Sequence, residues 1–171
     1  MSAGVIMNLI LAVVVYAGIS WSQGAIVPIN DEPVVGIVSK GYPADNIGLQ
    51  HGDKIIRIDS EDISTWSQMT SLVHSRPGDS LSITWSREGF QFTDNIVPIV
   101  AKDVCDCRII EFGLIGIAPV TEEKEIGVFA AVTNGLAITE NNVSKIYNSV
   151  CALVSGRAPF SDLGGPIMIA Q

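Results

Sequence analysis

The rhythm of apolar and polar positions changes twice along the chain. Between Ser2 and Asn30 there is no Asp, Glu, Lys, Arg or His, and residues 3–19, AGVIMNLILAVVVYAGI, are almost continuously apolar, with Trp21 just beyond. A bilayer core takes ~20 residues of helix, roughly 17–25, so residues 1–24 are read as a transmembrane helix with Trp21 at the interface. A secretory signal would begin with positive charge, which is missing here. A buried core helix would carry a polar face. Asn8 lies inside the span, and a polar side chain in lipid seeks a partner, which predicts a helix–helix contact there. Basic residues orient spans, and none flanks this one, so the segment reads as an excerpt from a longer protein.

From residue 30 to 120 the pattern becomes short and alternating. PVVGIVS (33–39) reads as a strand, GYPADNIG as a turn into one helical turn, and DKIIRID (53–59) as a second strand. In NIGLQHGDKII (46–56), Gly48 and Gly52 are the expected points of positive φ. Asp53 is placed to bond the turn backbone. Ser64 or Thr65 caps a helix that Pro77-Gly78 ends, with Trp66, Met69, Leu72 and Val73 on one face. Leu81, Ile83 and Trp85 alternate as in a half-buried strand. Glu88-Gly89 turns a hairpin into FQFTDNIVPIV, read as one returning strand.

Beyond residue 120 the pattern lengthens again. TEEKE is a charged, solvated patch. Val128, Leu136, Val143, Tyr147, Val150 and Val154 then recur at helical spacing as a long amphipathic stripe. Glu140, Asn141, Asn142 and Lys145 make it too polar to span. It suits a helix on a membrane surface or an ordinary packing helix.

The net charge of −8 and pI near 4.5 exclude nucleic-acid binding, which requires a clustered basic surface. They also exclude electrostatic adhesion to anionic lipid. His51 and His74 are read as surface residues, and no Gly-x-Ser-x-Gly elbow appears. Of the three cysteines, Cys105 and Cys107 form a Cys-x-Cys pair, a weak metal signal without a second pair. A bond between neighbours two apart is strained, and Cys151 can pair with either in an oxidising compartment. Free thiols are the expected state.

The order strand, short helix, strand, long helix, hairpin resembles a PDZ domain. Pro43-Ala44, Gly48-Leu49, Gly52-Asp53 and Ile55–Ile58 carry the match over about 45 residues, with Ser60-Glu61 standing where bacterial relatives place a Gly. The resemblance implies a circularly permuted PDZ domain over 30–120, within an α+β chain. Its peptide groove would lie between the strand 114–118 and the helix 65–75. Gly113, Leu114, Ile115, Gly116 and Ile117 would form the carboxylate-binding loop and apolar pocket, with Ser67 and Ser71 facing the ligand. Alternatively, Gly113 and Gly116 merely kink a core strand.

Ala3-Gly4 and Asn8 before the domain, and Gly165, Pro166, Ile167 and Ala170 after it, resemble the bacterial site-2 proteases, intramembrane zinc metalloproteases. Val5 departs from that family's usual Pro. The resemblance implies an inner-membrane protein with its PDZ domain on the periplasmic side, and residues 121–171 forming an amphipathic helix and a membrane re-entry segment. It further implies transmembrane protein substrates or their C-terminal peptides as partners, alongside membrane lipid. Zinc would belong to the full-length protein. The family's H-E-x-x-H is missing here, so this chain is expected to bind no zinc and to be inactive alone. The rival reading is a single-span envelope scaffold whose PDZ domain recruits a partner.

Overall fold

A computed structural model describes residues 2–156; the Gly-Pro-Ile segment lies outside them. The chain forms two compact units. One holds the helices α1 (Ser2–Gln23) and α4 (Val128–Val154) together with Val104–Ile110; the other holds Pro28–Asp103 and Glu111–Glu122. Strand β1 (Ala25–Pro28) pairs with β10 (Thr121–Lys124).

In the second unit, β2 (Val35–Val38) pairs antiparallel with β9 (Ile117–Pro119), Val38 opposite Ile117. A four-stranded sheet runs β4-β3-β5-β6, formed by Glu61–Asp62, Lys54–Ile58, Leu81–Arg87 and Phe90–Ile96. The helices α2 (Pro43–Asn46) and α3 (Trp66–His74) complete the PDZ architecture. Alternation along β5 buries Leu81, Ile83 and Trp85 with Val35, Ile55, Ile58, Met69, Val73 and Ile96.

The expected turn is present: Gly48 and Gly52 have φ of 74° and 89°. Asp53 is fully buried, and its Oδ2 accepts from the Gln50 amide at 2.8 Å. Both of its carboxylate oxygens also accept from Arg87, Nε and Nη2 each at 2.7 Å. This hydrogen bond is the main cause raising the Arg87 pKa above its ordinary value. After β3, Asp59 itself turns left-handed at φ 52°. Its carboxylate accepts from the Ser82 amide and from Arg76.

The segment read as one strand after Gly89 is two. Pro98 has no N–H for a ladder, so β6 ends at Ile96 and β7 (Ile99–Cys105) begins a second hairpin with β8 (Arg108–Leu114). Its two-residue turn, Asp106 and Cys107, has φ of 49° and 59°. Such turns usually announce themselves by Asn-Gly or Asp-Gly, and here no glycine marks one.

In the first unit, α1 contains an 18-residue window, Ile6–Gln23, long and apolar enough to cross a membrane by length and composition. Its face toward α4 uses Val13, Tyr16, Ala17 and Ser20. The Asn134 amide donates to Ser20 Oγ at 3.0 Å, and Asn142 donates to the Tyr16 hydroxyl at 3.3 Å. Partners on α1 retreat as those on α4 advance, so the helices run antiparallel. Asn8, expected at a helix contact, is exposed.

Ala131, Gly135 and Thr139 of α4 are buried, a small residue every fourth position that brings backbones close. A Cβ on Gly135 would stand 2.9 Å from both the Ala17 nitrogen and the Val13 carbonyl oxygen. The apolar stripe of α4 instead faces outward: Val128, Leu136, Val143, Tyr147, Val150 and Val154 are all exposed.

The expectation of three free thiols is overturned. Cys107 and Cys151 form a disulfide with Cα atoms 5.2 Å apart, and Cys105 is free and exposed. Forty-four residues separate the bonded pair, and only a hairpin unseen in the sequence pattern brings them together.

Candidate functional site

The candidate site lies within the second unit, between α3 and the segment 113–119. Asp31 fixes the start of α3: its backbone oxygen accepts from the Trp66 amide at 2.7 Å, and its Oδ1 accepts from the Ser67 amide and hydroxyl at 3.2 and 3.0 Å. A carboxylate at this end also favours the helix dipole. Thr65 caps the helix by accepting from the Gln68 amide. With that phase set, Met69 and Val73 enter the core, and Trp66, Thr70 and His74, one turn apart, border a groove.

Opposite α3, Gly113 lies next to the end of β8. A Cβ there would overlap the Val73 carbonyl oxygen and come within 2.9 Å of Pro98 Cβ, so only glycine lets the strand close on α3. Gly116 has φ 82°, and a Cβ would overlap the Tyr42 ring. This left-handed residue separates β8 from β9. The carbonyls of Ile115 and Gly116 accept from the Ala44 and Ser39 amides at 3.0 and 2.9 Å, which holds the loop in place.

The resulting groove has a volume of about 170 Å³ and is lined by Trp66, Met69, Thr70, Val73, His74 and residues 113–119. This lies below the range of about 300–1,000 Å³ for small-molecule pockets, so it suits one apolar side chain rather than a compact ligand. His74 is its single ionisable lining residue, with its ring 4.9 Å from that of Phe112. β9 pairs with β2 in a two-stranded sheet, leaving its other edge for an added strand.

Gly113, Leu114, Ile115, Gly116 and Ile117 all lie on the groove wall. Ile115, however, is 3% exposed and belongs to the core cluster, so its side chain supports the pocket floor as much as it lines it. Ser67 and Ser71 do not line the groove. Thr70 and His74 take the places expected of them, because the helix is rotated so that the flank beside Trp66, rather than the one away from it, meets the cleft. The spacing Trp66, Thr70, His74 was the available signal. The continuous strand expected over 114–118 is broken at Gly116.

Zinc does not fit the described residues. A site needs at least three nitrogen, sulfur or oxygen ligands from the protein, and no such group of His, Cys, Asp and Glu is gathered among the described residues. His51 Nδ1 contacts the Gly36 carbonyl at 2.6 Å, His74 packs on Phe112, and Cys107 is in a disulfide.

Comparison with known proteins gives a match to the model of Peptidase family M50 over residues 1–171. The chain is 31% identical over 168 residues to zinc metalloprotease RasP of Oceanobacillus iheyensis, and 32% over 168 residues to regulator of sigma-W protease RasP of Bacillus subtilis. Each alignment takes 98% of this chain and 38% of the relative. The chain thus spans less than half the length of the curated relatives it matches. Among solved structures, the PDZ domain of an SdrC-like protein from Listeria monocytogenes is similar, with TM-score 0.43 and 23% identity, covering 53% of this chain and 90% of that one.

Proposed function

The chain belongs to peptidase family M50, and we propose that it is the substrate-handling middle of a zinc metalloprotease that cuts transmembrane proteins within the bilayer. The zinc ligands and the general base would belong to the longer family protein; no zinc site is gathered among the described residues here. The names of the relatives favour this reading over a non-catalytic scaffold.

The observation that carries it is the groove between α3 and the unpaired edge of β9. Its modest volume and single ionisable residue suit exclusion of bulky, intact substrates first, and weak capture of an apolar C-terminus second. Gly113–Ile115 would then meet the terminal carboxylate, with affinity of roughly 10–100 μM, about 6 kcal/mol. The domain lies on the extracytoplasmic side of the inner membrane. The Cys107–Cys151 bond supports that placement, because such bonds persist in oxidising compartments.

The test uses the full-length protease and a substrate in its uncut and pre-cut forms. Deleting residues 33–120 should let the uncut form be cleaved; continued refusal would remove the filter. Titration with apolar C-terminal peptides tests capture, and Thr70→Arg should abolish any saturable binding by filling the groove. No saturable binding in the unaltered domain would leave only the filter.

A further inference from the structure

We infer that Cys105, Cys107 and Cys151 form a thiol–disulfide exchange site, in which the free thiol of Cys105 moves the bond on α4 from the turn of a hairpin to the end of the strand before it. Four observations converge on it. The Cys107–Cys151 bond fastens the tip of β7–β8 to α4. Cys105 is the last residue of β7, exposed and unbonded. Only Asp106 separates it from Cys107, in a turn where both central residues are left-handed. The tip, Val104–Ile110, belongs to the same compact unit as α4.

The chemistry is balanced within the chain. The Cys105 thiolate attacks Sγ of Cys151; a Cys105–Cys151 bond forms as the Cys107–Cys151 bond breaks. Cys107 leaves as the thiolate and takes up the proton that Cys105 gave away. No oxidant or reductant is consumed. Attack on the Cys107 sulfur instead would produce a strained bond between neighbours two apart, so the productive target is Cys151. The two linked loops differ by two residues in more than forty. Closure entropy grows only with the logarithm of loop length, so it does not choose between them. Local geometry at the turn does, and α4 is thereby anchored to either of two positions on the hairpin.

The sequence provides a clean readout, because Asp106 lies between the two cysteines and endoprotease Asp-N cuts before it. The complete chain, in detergent micelles, is equilibrated in a glutathione redox buffer, quenched with acid, alkylated and cleaved without reduction. Linked peptides are then identified by mass spectrometry. Both the Cys105–Cys151 and Cys107–Cys151 links should appear in the unaltered chain. In Cys107→Ser the Cys105–Cys151 link should form, and in Cys105→Ser only the Cys107–Cys151 link. The inference is overturned if Cys107→Ser retains two alkylatable thiols in the buffer that oxidises Cys105→Ser. It is equally overturned if the unaltered chain shows the Cys107 link alone after equilibration. Since Cys107→Ser can disturb the turn, the unaltered chain decides by itself.

Discussion

Ile115 sits at the groove but is held by the core, and the two roles separate by substitution. Ile115→Ala should cost about 2–5 kcal/mol, as for other large-to-small changes in a packed interior. Ile115→Asp should unfold the domain. His74→Ala, at the groove rim, should stay within about 0.5 kcal/mol. Chemical denaturation followed by tryptophan fluorescence distinguishes these outcomes, and an equal loss at both positions would mean that the groove wall is part of the core throughout. A second residue-scale expectation concerns Asp53, buried beneath Arg87. Arg87→Ala strands that carboxylate without its two charged hydrogen bonds and should lower the melting temperature. Arg87→Lys should restore only part, because a single ammonium cannot reproduce the bidentate fork; full recovery in a thermal melt would refute the geometric argument.

At the scale of elements, α4 meets α1 through small residues and exposes its large apolar ones. Gly135→Leu forces side-chain carbon onto the backbone of Ala17 and Val13 and should separate the helices, at a cost of roughly 1–3 kcal/mol. Cysteines introduced at Ser20 and Asn134 should crosslink readily in the unaltered pair and lose that crosslink with Gly135→Leu. An undiminished crosslink would show that the small-residue stripe does not set the approach. The disulfide acts at the far end of the same helix. Opening a loop closed over 44 residues removes up to about 4 kcal/mol in the chain-entropy picture. Cys151→Ser should therefore speed amide hydrogen exchange in the last turns of α4 more than around Gly135. A uniform change would place the bond's effect elsewhere.

For the whole molecule, the proposed extracytoplasmic placement of the domain can be tested by labelling. Single thiols placed at Asn30 and Ser86, in a chain otherwise free of reactive cysteine, should react with an impermeant maleimide from the extracytoplasmic face. Labelling from the cytoplasmic face alone would reverse the assignment. The outward apolar residues of α4, from Val128 to Val154, lie on the same unit as α1.

Much of this protein was legible before any coordinates. The apolar run of α1, the alternation in β5, the Gly48 and Gly52 turns and the cap of α3 are local properties, each dictated by residues within a few positions of one another. The family resemblance rests on those same signals. Tertiary structure decided what depends on distant neighbours. It set the phase of α3 through Asp31, turning Thr70 and His74 rather than Ser67 and Ser71 to the groove. It drew Ile115 into the core, and it presented the small side of α4 to α1. It also joined Cys107 to Cys151 through a hairpin whose turn has no glycine to reveal it. Periodicity tells which side chains share a face; only the packed partner determines which face is buried.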